Sequence, residues 1–214
     1  MLDATGLFMS NRREFNNAGA GMTETAIKHS VDTKTLLDRL GRRSIVFVGL
    51  MGAGKTVIGR KVASALSLPF IDSDHEIEAV SRMSIPDLFA NYGEAEFRSL
   101  ERRVLARLLR EGPQVLSTGG GAFMSERTRK AVARNGVSVW LKADLDTLMQ
   151  RVAKRQNRPL LQTQDPRAVM EKLMADRYPL YGEANVVVRT REESKDVIAA
   201  EVLDGLAAHL IADH

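Results

Sequence analysis

The side chains best suited to chemistry in this 214-residue chain fall into a few short stretches. The first is GLMGAGKT, residues 49–56, which fits G-x-x-x-x-G-K-[ST] and stands between an apolar run, SIVFVG, and a helix-forming run, KTVIGRKVASALS. Glycines let such a loop fold so that backbone N–H groups point inward, and the helix N-terminus behind it adds partial positive charge. The chemistry is that of a nucleoside triphosphate cradled by Gly52, Ala53, Gly54, Lys55, Thr56 and Val57. Lys55 would reach the terminal phosphates, and the Thr56 hydroxyl would join the coordination of Mg²⁺.

The second stretch, FIDSDHEIE, puts four carboxylates into residues 70–78. Asp72 and Asp74 lie two apart at the end of an expected strand, so alternation points both the same way and calls for positive charge beside them. A second strand in a sheet of this kind commonly neighbours the strand that enters the phosphate loop. Asp72 is then placed to act on the Mg²⁺ through a bound water. Asp74, further past the strand end, can accept a hydrogen bond from a substrate hydroxyl and take its proton. Glu76 and Glu78 read as first-turn acids of the next helix, and His75 as an exposed neighbour without a partner at metal-ligand spacing.

Three further stretches supply positive charge and bare backbone. In GEAEFRSLERR, Arg98 and Glu101 share a helix face, so the arginine is either an ordinary surface pair or a preorganised fork for an anion. In STGGGA, Gly119, Gly120 and Gly121 follow a strand and would let a ligand lie against the main chain. Arg158, in the aperiodic stretch 156–165, reads as a lid arginine able to neutralise charge on a phosphoryl group in transfer.

Elements must hold these stretches at one place. From Ser44 onward apolar runs alternate with helical periodicity: SIVFVG, PFIDSD, QVLSTGG, VSVWLKA and ANVVVRT as strands, with helices between them and EESKDVIAAEVLDGLAAHL as a closing amphipathic helix. The segment from His75 to Glu111 is helical in pieces, broken near Pro86 and Gly93. That alternation implies an α/β fold with a parallel sheet covered on both faces, its ligands beyond the carboxyl ends of the strands. Residues 1–31 lack periodicity and read as a mobile extension; DTKTLLDRLG reads as a short helix leading into one domain spanning 32–214.

Composition narrows the class. Hydrophobic residues make up 44% and charged residues 27%, the balance of a soluble globular protein. No apolar run is long enough to span a bilayer, and no cysteine is present, which suits a reducing cytoplasm. Of the 31 basic residues 22 are arginine, spread along the chain without a basic arm or a base-stacking strand, so nucleic acid is not the expected partner.

Taken in order, GLMGAGKTVIG, FIDSDHEIE, GEAEFRSLE, LSTGGGA, NRPLL and RYPLY resemble the shikimate kinase family over roughly residues 44–188. The resemblance implies a P-loop kinase with a three-layer α/β/α fold and a five-stranded parallel sheet in order 2-3-1-4-5. It implies transfer of a phosphoryl group from ATP, with Mg²⁺, to the 3-hydroxyl of shikimate, by a cytoplasmic monomer. By resemblance Asp74, Arg98, Arg177 and the Gly119–Gly121 turn would hold shikimate, with both arginines on its carboxylate and Asp74 on its ring hydroxyls. Glu101 would steady Arg98, Arg158 would be the lid arginine, and Arg151 would lie near the adenine. RTREESKD after the fifth strand departs from the family in lacking a proline. A related kinase acting on another hydroxy acid such as gluconate, or a non-catalytic nucleotide-sensing domain, are the alternatives.

Overall fold

Five short runs rich in valine, isoleucine and leucine pair side by side in a computed structural model that describes residues 32–154 and 163–213. The strands are β1 (Ser44–Val48), β2 (Phe70–Asp72), β3 (Val115–Ser117), β4 (Gly136–Lys142) and β5 (Val186–Arg189), all parallel, in the order β2-β3-β1-β4-β5. Central β1 is buried along its whole length, whereas edge strand β5 alternates buried and exposed residues. This is the difference expected between a strand covered on both faces and one at a margin.

Helices α1 (Thr33–Leu40), α2 (Lys55–Ala65), α3 (Ser73–Ser81), α4 (Ile85–Glu111), α5 (Glu126–Asn135), α6 (Leu145–Ala153), α7 (Pro166–Tyr181) and α8 (Lys195–Ala212) fill the connections. One layer is α2 against α8, with α1 laid over α8; the other contains α4 against α5. The closing helix α8 buries Ile198, Ala199, Val202, Leu203, Leu206 and Leu210 at helical spacing, although Val197 and Ile211 leave apolar side chains on its exposed side too. Breaks fall where the backbone chemistry puts them. Ser84 caps α4 by accepting from Asp87 N–H, and Gly93 turns the chain inside that helix with φ +75°.

Strand order corrects one expectation. β2 does not neighbour β1; β3 lies between them, with Ser117 in register with both Phe47 and Asp72. The resemblance implied this order, whereas the general habit of such sheets suggested direct contact. The carboxyl ends of β1, β3 and β2 still finish level, and this is what brings their loops together. Of the expectations for the N-terminal extension and the lid, residues 1–31 and 155–162, with Arg158, lie outside the described residues. Asp165, at the end of the expected lid, caps α7 by accepting from Ala168 N–H at 2.9 Å.

Candidate active site

The phosphate loop leaves β1 at Gly49, whose φ of +136° excludes other residues on conformation alone; a methyl there would also stand 2.9 Å from Leu141 O. Gly52 and Gly54 are left-handed as well, at φ +82° and +100°. The resulting loop borders a cleft of about 930 Å³ whose walls include Gly52, Gly54, Lys55, Thr56 and Val57. Ala53 does not line it: the residue is 1% exposed, and its N–H donates to Leu50 O at 3.2 Å. Lys55 Nζ donates to Gly49 O at 2.7 Å and Leu50 O at 3.0 Å, which arches the side chain over its own loop.

Asp72 and Asp74 do hold different things, but strand alternation is not the reason. β2 ends at Asp72, which caps α3: its Oδ1 accepts from Asp74 N–H at 3.1 Å. Its Oδ2 accepts from the Thr56 hydroxyl at 3.1 Å, so the two residues expected near Mg²⁺ meet across the sheet. Among the described residues no three acidic or histidine side chains cluster to cage a metal. A hydroxyl and one carboxylate are a hard-oxygen pair that fits an ion completed by phosphates and water, the usual habit of Mg²⁺.

Asp74 belongs to the first turn of α3 and lines the same cleft. Burial raises its pKa, Asp72 adds to the rise, and Lys55 opposes it. Lys55 is therefore the positive neighbour the paired acids called for. Glu76 is indeed a first-turn acid, and it pairs with Arg107 at 2.6 Å. Glu78 is not: it stands a turn later and accepts from Ile85 N–H at 3.0 Å, tying α3 to the start of α4. His75 is exposed at the cleft wall.

The three glycines after β3 serve a purpose their spacing hinted at only in part. Side chains lie against their bare backbone. A methyl on Gly119 would fall 2.8 Å from Asp74 Oδ1 and 3.1 Å from Glu101 Oε1, and one on Gly121 would collide with the Arg98 guanidinium. Gly120 O accepts from Arg177 Nη1 at 3.0 Å. Asp74, Arg98 and Arg177 thus converge on one turn from three helices. The same turn adjoins the phosphate loop: a methyl on Gly120 would touch Gly49 O and Met51 N at 3.6 and 3.8 Å.

Arg98 is preorganised rather than a loose surface cation. Nη1 donates to Glu101 at 2.9 Å, and Nη2 donates to Glu94 at 3.2 Å. Burial opposes its charge, but both carboxylates outweigh that and hold the guanidinium pKa above its ordinary value. Glu101, 2% exposed, is pushed up by burial and pulled back by Arg98. Arg98, Arg177 and Gly121 stand behind the cleft wall that Asp74, Gly119 and Gly120 form, whereas Arg151 lines the cleft and donates to Gly52 O at 3.3 Å, Thr190 Oγ1 at 3.1 Å and Arg191 O at 2.7 Å. It ties the phosphate loop to the segment after β5, where Glu192 and Lys195 also line the wall.

Reading the sequence missed Glu94, Lys195 and above all Tyr181. The last is fully buried and donates its hydroxyl to Gly120 O, the acceptor Arg177 uses. Its signal was present: Tyr181 stands four residues after Arg177, hence on the same helix face.

Comparison with known proteins agrees with this geometry. The family model described as shikimate kinase matches residues 51–207. A shikimate kinase of Mesorhizobium japonicum (strain LMG 29417 / CECT 9101 / MAFF 303099) is 68% identical over 178 residues, 83% of this chain and 88% of its own. One from Brucella canis (strain ATCC 23365 / NCTC 10854 / RM-666) is 60% identical over 178 residues, covering 83% and 89% of the two chains. Among solved structures, shikimate kinase from Acinetobacter baumannii in complex with shikimate superposes with a TM-score of 0.76 at 35% identity, covering 83% of this chain and 98% of that one. With a family model matched across most of its length and a relative 68% identical over 83% of it, the chain belongs to the shikimate kinase family.

Proposed function

We propose that the protein transfers the γ-phosphoryl group of ATP to the 3-hydroxyl of shikimate, releasing ADP and shikimate 3-phosphate, and that it acts as a cytoplasmic monomer. One observation carries the reading: Asp74, Arg98 and Arg177 meet at a glycine turn that also touches the phosphate loop. Two cations and one carboxylate around bare backbone suit a small ring bearing one carboxylate and several hydroxyls. A sugar acid such as gluconate shares those groups but lacks the rigid ring.

In this mechanism the loop from Gly52 to Val57 grips the triphosphate and Arg151 stands beside the base. Thr56 and Asp72 would hold Mg²⁺, whose charge would offset that of the outer phosphates. Arg98 and Arg177 seat the carboxylate, and Asp74 accepts the hydrogen bond of the 3-hydroxyl. The oxygen forms its bond to the γ-phosphorus as the bond to the β-phosphate oxygen breaks, and the proton passes to Asp74. A carboxylate whose pKa burial has raised holds that proton better than an exposed aspartate does. Lys55 and Arg158 offset the charge that develops on the transferring group.

The test is ADP release measured with shikimate, with gluconate and with no acceptor, in the presence of Mg²⁺. The expected result is turnover stimulated by shikimate at least a hundredfold over either control. Equal rates with and without shikimate would overturn the assignment.

A further inference from the structure

Tyr181 is buried to 0% exposure at the end of α7, with its ring centroid 5.9 Å from Trp140, 6.4 Å from Phe123 and 6.3 Å from Tyr178. Core packing on three sides leaves the ring little rotational freedom. Its hydroxyl donates to Gly120 O, and Arg177, one helical turn earlier, donates to the same oxygen at 3.0 Å. A carbonyl has two lone pairs, so the oxygen is saturated by these two donors.

That arrangement is more than packing requires. Phenylalanine would fill the same volume, and Gly120 O would keep Arg177 as a partner. The hydroxyl therefore is not needed to satisfy the carbonyl. It does supply rigidity: Arg177 rests on a turn of three glycines, which have no side chains to brace it. A phenol fixed by the aromatic core pins the carbonyl, and the pinned carbonyl orients the guanidinium. Gly120 also abuts Gly49 and Met51 of the phosphate loop, so the same point sets the spacing between the two halves of the site.

We propose that Tyr181 is a positioning residue for the acceptor: through Gly120 O it holds Arg177 in the orientation that binds the substrate carboxylate. The inference deepens the function proposed above and rests on Arg177 being a carboxylate ligand. Tyr181 touches no reacting atom; it acts on Arg177 through the turn and through the direct contact of its hydroxyl with the guanidinium.

The test compares wild type, Tyr181→Phe, Arg177→Met and the double variant. Each is assayed with shikimate and with its analogue carrying a hydroxymethyl group in place of the carboxylate. Tyr181→Phe is expected to raise the shikimate KM about five- to tenfold, the worth of one hydrogen bond, with kcat within threefold and the ATP KM unchanged. The increase should vanish with the analogue. It should also vanish in the Arg177→Met background, where there is no guanidinium left to orient. Thermal midpoints of the wild type and Tyr181→Phe should agree within a few degrees. An unchanged shikimate KM in Tyr181→Phe, beside a raised one in Arg177→Met, would overturn the positioning role alone. An equal loss with shikimate and the analogue would reduce Tyr181 to a packing residue. A wild-type KM in Arg177→Met would overturn the carboxylate assignment, and this inference with it.

Discussion

Asp74 carries its charge in an unfavourable place. Burial first, and Asp72 second, raise its pKa above the ordinary aspartate value, with Lys55 as partial compensation. Between the unfolded and folded pKa values the native protein binds more protons than the unfolded chain, so stability falls as pH rises through that window and stays lower above it. Asp74→Asn should therefore raise the urea midpoint at pH 7 relative to wild type. The same substitution should cut kcat by about a hundredfold or more, because the acceptor oxygen loses its base. Gain of stability and loss of turnover in one variant is the mark of a group kept for chemistry. Gly121 offers a second separation. The three atoms nearest a methyl there all belong to the Arg98 guanidinium, the far end of a long side chain, so Gly121→Ala should displace it from Glu101 and Glu94 without unfolding the protein. We expect about a tenfold rise in shikimate KM, an unchanged ATP KM and a thermal midpoint within a few degrees of wild type. Arg98→Lys should raise the shikimate KM on the same scale, since an ammonium cannot reproduce the fork held by Glu101 and Glu94.

At the scale of elements, the site is assembled by helix starts and strand ends, while α1 works elsewhere. Leu36 and Leu40 of α1 are buried, Arg39 donates to Leu210 O at 3.3 Å, and Arg43 pairs with Asp213 at 2.9 Å, all at the C-terminal end of α8. Leu40→Ala should cost about 2–4 kcal/mol in urea unfolding, the range for an emptied leucine site, and leave both KM values unchanged. The exposed Arg43 pair should be worth less than about 1 kcal/mol. These elements were legible because their signals are local. Asp32 and Gly41 bracket α1, Pro86 and Gly93 break the long helical stretch, and continuous apolar runs mark β1 and β4. Where β2 gives way to α3 was not legible, since FIDSD continues strand alternation; the cap that Asp72 forms on Asp74 N–H ends it.

Across the whole molecule, what the sequence conceals is which groups meet. Spacing identified Arg98 with Glu101, and the phosphate loop with its lysine and threonine, because each pair lies within one element or one turn. It could not show that the glycine turn is occupied by Asp74, Arg98 and Arg177 themselves, since these come from α3, α4 and α7. Arg177 in particular reads as a helix-end cation until α7 is folded back against β3's turn; only the resemblance singled it out. Tyr181 was legible only as a neighbour of Arg177 on one helix face; its contact with Gly120 was hidden for the same reason.

Trp140, the only tryptophan in the chain, stands on β4 between these halves. A methyl on Gly49 would lie 3.5 Å from its ring, and Tyr178 meets it edge-on at 4.9 Å. It is buried, its indole N–H finds no hydrogen-bond partner among the described residues, and Lys142 Nζ lies 5.1 Å from its ring centroid. The enzyme thus carries its own optical probe: intrinsic emission should peak at short wavelength and change in intensity when either ligand is titrated in. Each occupancy could then be followed by light, with no label attached.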